Sequence, residues 1–159
     1  LSPAHPGWAR FCEALDEAAR RLARMVVLDG EGATKCVTVA VSGAATPTDA
    51  RKAARAIARS LLVKTSWFGG DPNWGRVICA AGYSGARFDP ARVTIAYDGA
   101  RAVRRGVRVP GLPLAALEQI LRQKAFTLSV DLGAGRATHT LLTCDCSEEY
   151  VKINGSYMT

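Results

Sequence analysis

The sequence predicts a mixed α/β fold, and three observations predict it. Residues 8–27 and 112–124 repeat apolar side chains every three or four positions, the period of a helix that buries one face. Residues 36–44, and the two halves of 126–147, carry alternating or β-rich runs broken by glycines, the mark of short strands. The helical and strand-like stretches interleave without the strict βαβ alternation of a doubly wound sheet.

Taken in order, Phe11, Leu15, Ala18, Leu22 and Met25 form the apolar stripe of a first helix over residues 8–27. The stretch Asp29-Gly30-Glu31-Gly32-Ala33-Thr34-Lys35 ends it, with Gly30 as the expected C-cap. Residues 36–44 read as a strand. A helix over about 48–62 follows, with Thr46 or Thr48 as N-cap, Asp49 in its first turn and basic residues beyond. Residues 65–76, "TSWFGGDPNWGR", read as a loop rich in turn residues, and "VICAAGY" as a buried strand. Residues 91–109 read as two strands joined at Asp98-Gly99, a strong hairpin signal. "LPLAALEQILRQK" is an amphipathic helix, two strands flank "GAG" at 133–135, and the tail "EEYVKINGSYMT" begins as a short strand. Internal repeats and low-complexity linkers are not seen, so residues 1–159 are expected to form a single domain.

Composition narrows the function classes. With 159 residues and 48% apolar content, the chain can bury a core of its own. Its apolar runs stay below the roughly 18 residues that span a bilayer, and residues 1–22 have no signal-peptide core, so a cytoplasmic protein without membrane contact is expected. The first residue is Leu1, as if the chain were cut from something longer. Cys12, Cys36, Cys79, Cys144 and Cys146 sit among apolar neighbours, a pattern of buried thiols in a reducing compartment. Cys144-Asp145-Cys146 would make half a metal site, but a second cysteine pair with ligand spacing is missing. The net charge of +7 raises nucleic-acid binding. The basic residues are spread along the chain, however, and 7% aromatic content gives no stacking platform. An anionic small substrate or an acidic partner chain accounts for the charge equally well.

Familiar chemical motifs do not hold up. "GEGATK" lacks P-loop spacing. "LGAGRA" lacks the third glycine of a dinucleotide fingerprint and leads into a strand. His5 and His139 have no evident partners, and no serine stands in a nucleophile-elbow context. By itself, the acid between two glycines in the 29–35 turn reads as a solvated turn residue.

Four segments together change that weighting. "LARMVVLDGEGATK", "SLLVKTSWFGGDPNWGRVICAAGYSG", "VDLGAGRATHTLLTCDCS" and the terminal "EEYVKINGSYMT" resemble, in order and over nearly the whole chain, the ornithine acetyltransferase family, the bifunctional glutamate N-acetyltransferases of arginine biosynthesis. Cys146, Gly155 and Met158 depart from the usual residues. The resemblance implies a precursor that cuts itself into α and β chains. The new N-terminal threonine of the β chain takes acetyl from N-acetylornithine and passes it to glutamate, one hard transfer becoming two easier ones. It also implies a layered αββα architecture like that of self-processing, N-terminal-nucleophile-like aminopeptidases, of which this chain is part.

The segment that carries the family's nucleophile is not found in residues 1–159, so the chain resembles the C-terminal part of a β chain, with no catalytic residue of its own and no activity alone. The implied partners are the α chain of the same precursor and the N-terminal part of the β chain, in an α2β2 assembly, with small amino-acid substrates. No cofactor or metal is implied; acetyl-CoA stays open as a second acetyl donor. Of the substrate-binding residues, the resemblance transfers Glu31, Asn154 and Thr159. A glutamate held against glycine backbone can pair with a substrate ammonium, and an asparagine and a threonine can meet an α-carboxylate or amide. Asp71, Asn73 and Arg76 are expected to brace their loop, with Trp67 and Trp74 as packing. The competing readings are a fragment of a related self-processing hydrolase and a non-enzymatic basic binding module.

Overall fold

A computed structural model describes residues 2–112 and 114–156. Its elements run α1 (Trp8–Leu28), β1 (Cys36–Ala44), α2 (Pro47–Arg59), α3 (Leu61–Phe68), α4 (Trp74–Gly82), a 3-10 turn (Pro90–Arg92), β2 (Thr94–Tyr97), β3 (Ala100–Arg104), β4 (Val107–Arg108), α5 (Leu114–Leu121), β5 (Ala125–Asp131), β6 (Ala137–Cys144) and α6 (Glu148–Gly155). The strands form one sheet in the order β4-β3-β2-β5-β1-β6. β1 and β5 pair in parallel, and every other pairing is antiparallel. The mixed α/β class is thus as the sequence predicts, with one mixed sheet among the described residues.

Alternation along the central strands explains which face is covered. Val37, Val39 and Val41 of β1, and Phe126, Leu128 and Val130 of β5, point to one side and are buried. They share one core with Ile57 of α2, Val63 and Trp67 of α3, Val77 of α4 and Leu117 and Leu121 of α5. The Trp67 ring meets Phe126 edge-on at 6.0 Å, and Tyr97 lies 6.2 Å from the same ring, arrangements favoured by the aromatic quadrupole. On the opposite side Thr38, Ala40, Ser42, Thr127 and Ser129 are only half-buried. α1 touches this sheet at β6 and β1 and buries none of its own residues.

Caps and turns set the element boundaries. Thr46 caps α2, its hydroxyl accepting from the Asp49 amide at 3.1 Å. The expected helix over 48–62 breaks at Ser60, which is extended (ψ 113°) and caps α3 through the Val63 amide. The first four residues of the expected 65–76 loop are therefore helical, and only residues 69–73 form the connection. "VICAAGY" is a helix, not a strand. Asn73 accepts from the Arg76 amide at 3.1 Å, and the buried residues Val77, Ala80 and Ala81 keep helical spacing. A short apolar run fits either period, and here the Asn cap decides. Asp71, Asn73 and Arg76 do brace this region: Asn73 Nδ2 donates to Asp71 Oδ2 at 3.0 Å, and Arg76 Nη1 donates to the Leu62 carbonyl at 2.8 Å. Trp67 is buried, and Trp74 packs partly buried against the core.

The hairpin at Asp98-Gly99 forms as expected, both residues having positive φ (43° and 84°). The tail is a second correction: residues 148–155 are the helix α6, not a strand. Ser147 accepts from the Tyr150 amide at 3.2 Å, and Glu148 and Glu149 in the first turn complement the helix dipole. A third concerns the thiols. Cys36 and Cys146 are buried, whereas Cys12 and Cys144 are half-buried and Cys79 is exposed on α4. Among the described residues no three His, Cys, Asp or Glu side chains cluster as a metal site would require, and no helix is long and apolar enough to cross a membrane.

A candidate amino-acid site where the first helix meets the last

The turn after α1 is held by its neighbours rather than by its own hydrogen bonds. α1 ends at Asp29, whose amide donates to the Met25 carbonyl at 2.9 Å. Gly30 is not the C-cap expected: Asp29 caps α1, and the left-handed glycine of the turn is Gly32, with φ 64°. A Cβ at Gly32 would come within 2.5 Å of the Tyr150 amide nitrogen and 2.9 Å of the Ser147 hydroxyl, so only glycine admits both the backbone angle and this approach. The turn is thereby pressed against the start of α6, 115 residues further along the chain.

Polar contacts hold it there. Ser147 Oγ donates to the Gly32 carbonyl at 2.5 Å while capping α6. The carboxylate of Asp145, which is buried, accepts from the Thr34 amide at 2.8 Å, the Lys35 amide at 3.0 Å and the Thr34 hydroxyl. Lys35 Nζ approaches the same carboxylate at 4.0 Å, donates to the Phe68 carbonyl at 3.5 Å and stands 5.8 Å over the Phe68 ring.

This frame brings two of the sequence-predicted site residues together. Asn154 Nδ2 donates to Glu31 Oε2 at 3.0 Å, across 123 positions of sequence. The same nitrogen donates to the Tyr150 carbonyl at 2.9 Å, one turn back on α6. Both neighbours of the nitrogen are acceptors, which settles the orientation of the amide. Asn154 Oδ1 and Glu31 Oε1 consequently have no hydrogen bond among the described residues, and both side chains are exposed. An amide oxygen and a carboxylate oxygen on joined side chains, one of them anionic, suit a donor-rich cation such as a primary ammonium. The third expected residue, Thr159, lies outside the described residues.

Asp145 and Ser147 were not singled out as site residues by the sequence reading. Ser147 carried a signal, a serine followed by two glutamates, which marks a helix N-terminus. Asp145 carried none, because its partners lie 110 and 111 positions away.

A mixed sheet with a helical layer, and an acid–amide pair joined across 123 positions of sequence, define the class: an α/β protein with an exposed acidic polar site. The comparisons make it specific. The ArgJ family model matches residues 2–159, and the chain belongs to that family. It is 47% identical over its whole length to the Arginine biosynthesis bifunctional protein ArgJ of Geobacter sulfurreducens, covering 40% of that protein. It is 45% identical over 94% of its length to the Glutamate N-acetyltransferase of Methanocaldococcus jannaschii, covering 39% of it. The crystal structure of the Arginine biosynthesis bifunctional protein argJ from Bacillus halodurans superposes with a TM-score of 0.94 at 39% identity, over 99% of this chain and 74% of that one. The chain thus spans about two fifths of the length of the curated relatives it matches.

Proposed function

We propose that this chain is the C-terminal portion of the β chain of an acetyltransferase of arginine biosynthesis, which moves acetyl from N-acetylornithine to glutamate through an acetyl-threonine. Under this reading the threonine comes from outside residues 1–159, and Glu31, Asn154 and Thr159 bind the amino-acid substrates. The observation that carries it is the 3.0 Å contact between Glu31 and Asn154, both exposed, on a turn braced by a buried carboxylate. A solvated turn acid has no need of such a frame.

The acid and amide oxygens accept from the α-ammonium of glutamate, or of ornithine as it leaves. Asn154 then shares Glu31 with the substrate rather than binding its carboxylate, which falls to groups elsewhere. Glutamate attacks only as the free amine, so the carboxylate beside it also has a place to take the departing proton. This reading requires no cofactor, and it leaves open whether acetyl-CoA also supplies acetyl to the threonine.

The partners are the α chain and the N-terminal part of the β chain, produced by self-cleavage and assembled as α2β2 in the cytoplasm. In support, the apolar stripe of α1 stays exposed: Leu22 is 61% and Val26 73% accessible. The half-buried Thr38–Ser42 face of the sheet is the side on which a second sheet would stack.

Glu31→Gln in the full-length protein tests the site. Losing a charge-assisted bond to an ammonium should cost about 1.5 kcal/mol or more, roughly tenfold or more in kcat/KM. Self-cleavage uses no amino-acid substrate and should persist. Unchanged kinetics would return Glu31 to a solvated turn residue.

A further inference from the structure

We infer that Asp145 is a positioning residue for acetyl transfer: its buried carboxylate fixes the 29–35 turn and, through it, the place of the Glu31 carboxylate. This rests on the reading of Glu31 as a substrate-binding residue given above.

The contacts are more than a buried carboxylate needs merely to avoid an unmade bond. The Asp145 side chain is 0% exposed. One oxygen, Oδ1, receives two successive backbone amides, Thr34 at 2.8 Å and Lys35 at 3.0 Å. The other, Oδ2, receives the Thr34 hydroxyl and faces Lys35 Nζ at 4.0 Å. Two adjacent amides aimed at one oxygen set the orientation of the peptide between them, and with it the direction in which the turn enters β1. Two residues further along, Ser147 takes the Gly32 carbonyl at 2.5 Å. Residues 145 and 147 thus grip the turn at its end and at its middle.

That grip matters because the turn has little stiffness of its own. Gly30 and Gly32 flank Glu31, and glycine leaves the backbone free to adopt many conformations. Within the turn the one backbone bond is Ala33 N to the Gly30 carbonyl, at 3.0 Å. A binding group must be held to within about 0.5 Å of its working place to be effective. Asp145 supplies what the glycines remove. It does not touch the acid–amide pair, so its effect on turnover passes through Glu31.

A double-mutant cycle in the full-length protein reads this route. Asp145→Ala and Asp145→Asn are each made with and without Glu31→Gln. Transfer of acetyl from N-acetylornithine to glutamate is measured together with hydrogen exchange at the Thr34 and Lys35 amides. Alone, Asp145→Ala should lower kcat/KM about tenfold or more, chiefly through KM, while Asp145→Asn, which keeps an oxygen for the two amides, recovers most of the loss. Both amides should exchange faster in the alanine variant. On a Glu31→Gln background the same alanine change should cost under about threefold, because residues acting as a unit are not additive. Losses that simply multiply would overturn the proposal, since Asp145 would then support the molecule at large. Normal turnover of Asp145→Ala beside a defective Glu31→Gln would also overturn it. Normal turnover of Glu31→Gln would instead overturn the reading of Glu31 on which the proposal rests. Should the alanine variant not accumulate, the milder asparagine variant runs the cycle: a loss confined to the Glu31 background supports the proposal, and an equal loss in both backgrounds overturns it.

Discussion

At the scale of single residues, two side chains illustrate opposite solutions to burial. The Asp145 carboxylate meets three donors and a nearby ammonium, which is how a buried charge is kept. The Tyr97 hydroxyl is buried with no hydrogen-bond partner among the described residues. Its burial raises its pKa above the usual 10.0, and the Asp71 carboxylate pushes the same way. A raised folded-state value means that below about pH 10 the hydroxyl is neutral in both states and costs nothing through ionisation. Above that pH the unfolded chain ionises first, so stability falls as pH rises. Tyr97→Phe should abolish this tyrosine's share of the alkaline decline and leave the melting temperature at pH 7 unchanged or higher, because an unsatisfied hydroxyl is removed. Melting curves of both proteins between pH 8 and 11 check this; identical alkaline declines would show that Tyr97 is not the group responsible.

Among the elements, α6 resembles α1 in burying no residue, but it has only eight residues. A helix of eight residues is marginal alone, so its place depends on its cap and on the contacts that Ser147 and Asn154 make to the 29–35 turn. Ser147→Ala removes the cap and the Gly32 contact together. Loss of a serine cap costs about 1 kcal/mol. Hydrogen exchange should therefore quicken at Tyr150–Asn154 while β1 and β5 keep their protection, and the KM for glutamate should rise. Uniform loosening of the sheet would mean that the segment supports the core rather than the site. The β6-to-α6 connection accordingly holds the candidate site, whereas α3 and α4 serve the core through Val63, Trp67 and Val77.

For the molecule as a whole, the decisive feature is an incomplete covering. One face of the sheet has its helices, the other is only half-buried, and Leu15, Leu22, Met25 and Val26 of α1 remain exposed. Stripes of this kind mark interaction surfaces in stable proteins. With relatives more than twice as long, the proposed occupant is the remainder of the precursor. Residues 1–159 expressed alone should self-associate, and supplying the remainder in trans should give one defined particle. Leu22→Glu with Val26→Glu should prevent that assembly while leaving the far-ultraviolet spectrum intact. Size-exclusion chromatography with light scattering reads the result. A monodisperse monomer that unfolds cooperatively and ignores the remainder would refute it.

Sequence alone determined the features that depend on near neighbours. Helical periodicity placed α1 to within a residue, alternation placed β1 at 36–44, and Asp98-Gly99 placed the β2–β3 hairpin. These signals are local, because a helix face, a pleat and a two-residue turn are each written in a few consecutive side chains. The family was legible from its motifs, and with it the expectation that Glu31, Asn154 and Thr159 bind substrate, but not that Glu31 and Asn154 meet. Tertiary structure decided the rest. "VICAAGY" and the tail became helices because Asn73 and Ser147 cap them, and a short apolar run carries no period strong enough to outvote a cap. The left-handed glycine proved to be Gly32 rather than Gly30, because α6 packs against it. Asp145 was invisible from the sequence. A carboxylate's role follows from what faces it, and what faces this one is brought there by the antiparallel pairing of β6 with β1, in which Cys144 lies opposite Cys36. That pairing sets Asp145 beside Thr34 and Lys35, and only tertiary pairing can make neighbours of residues 110 positions apart.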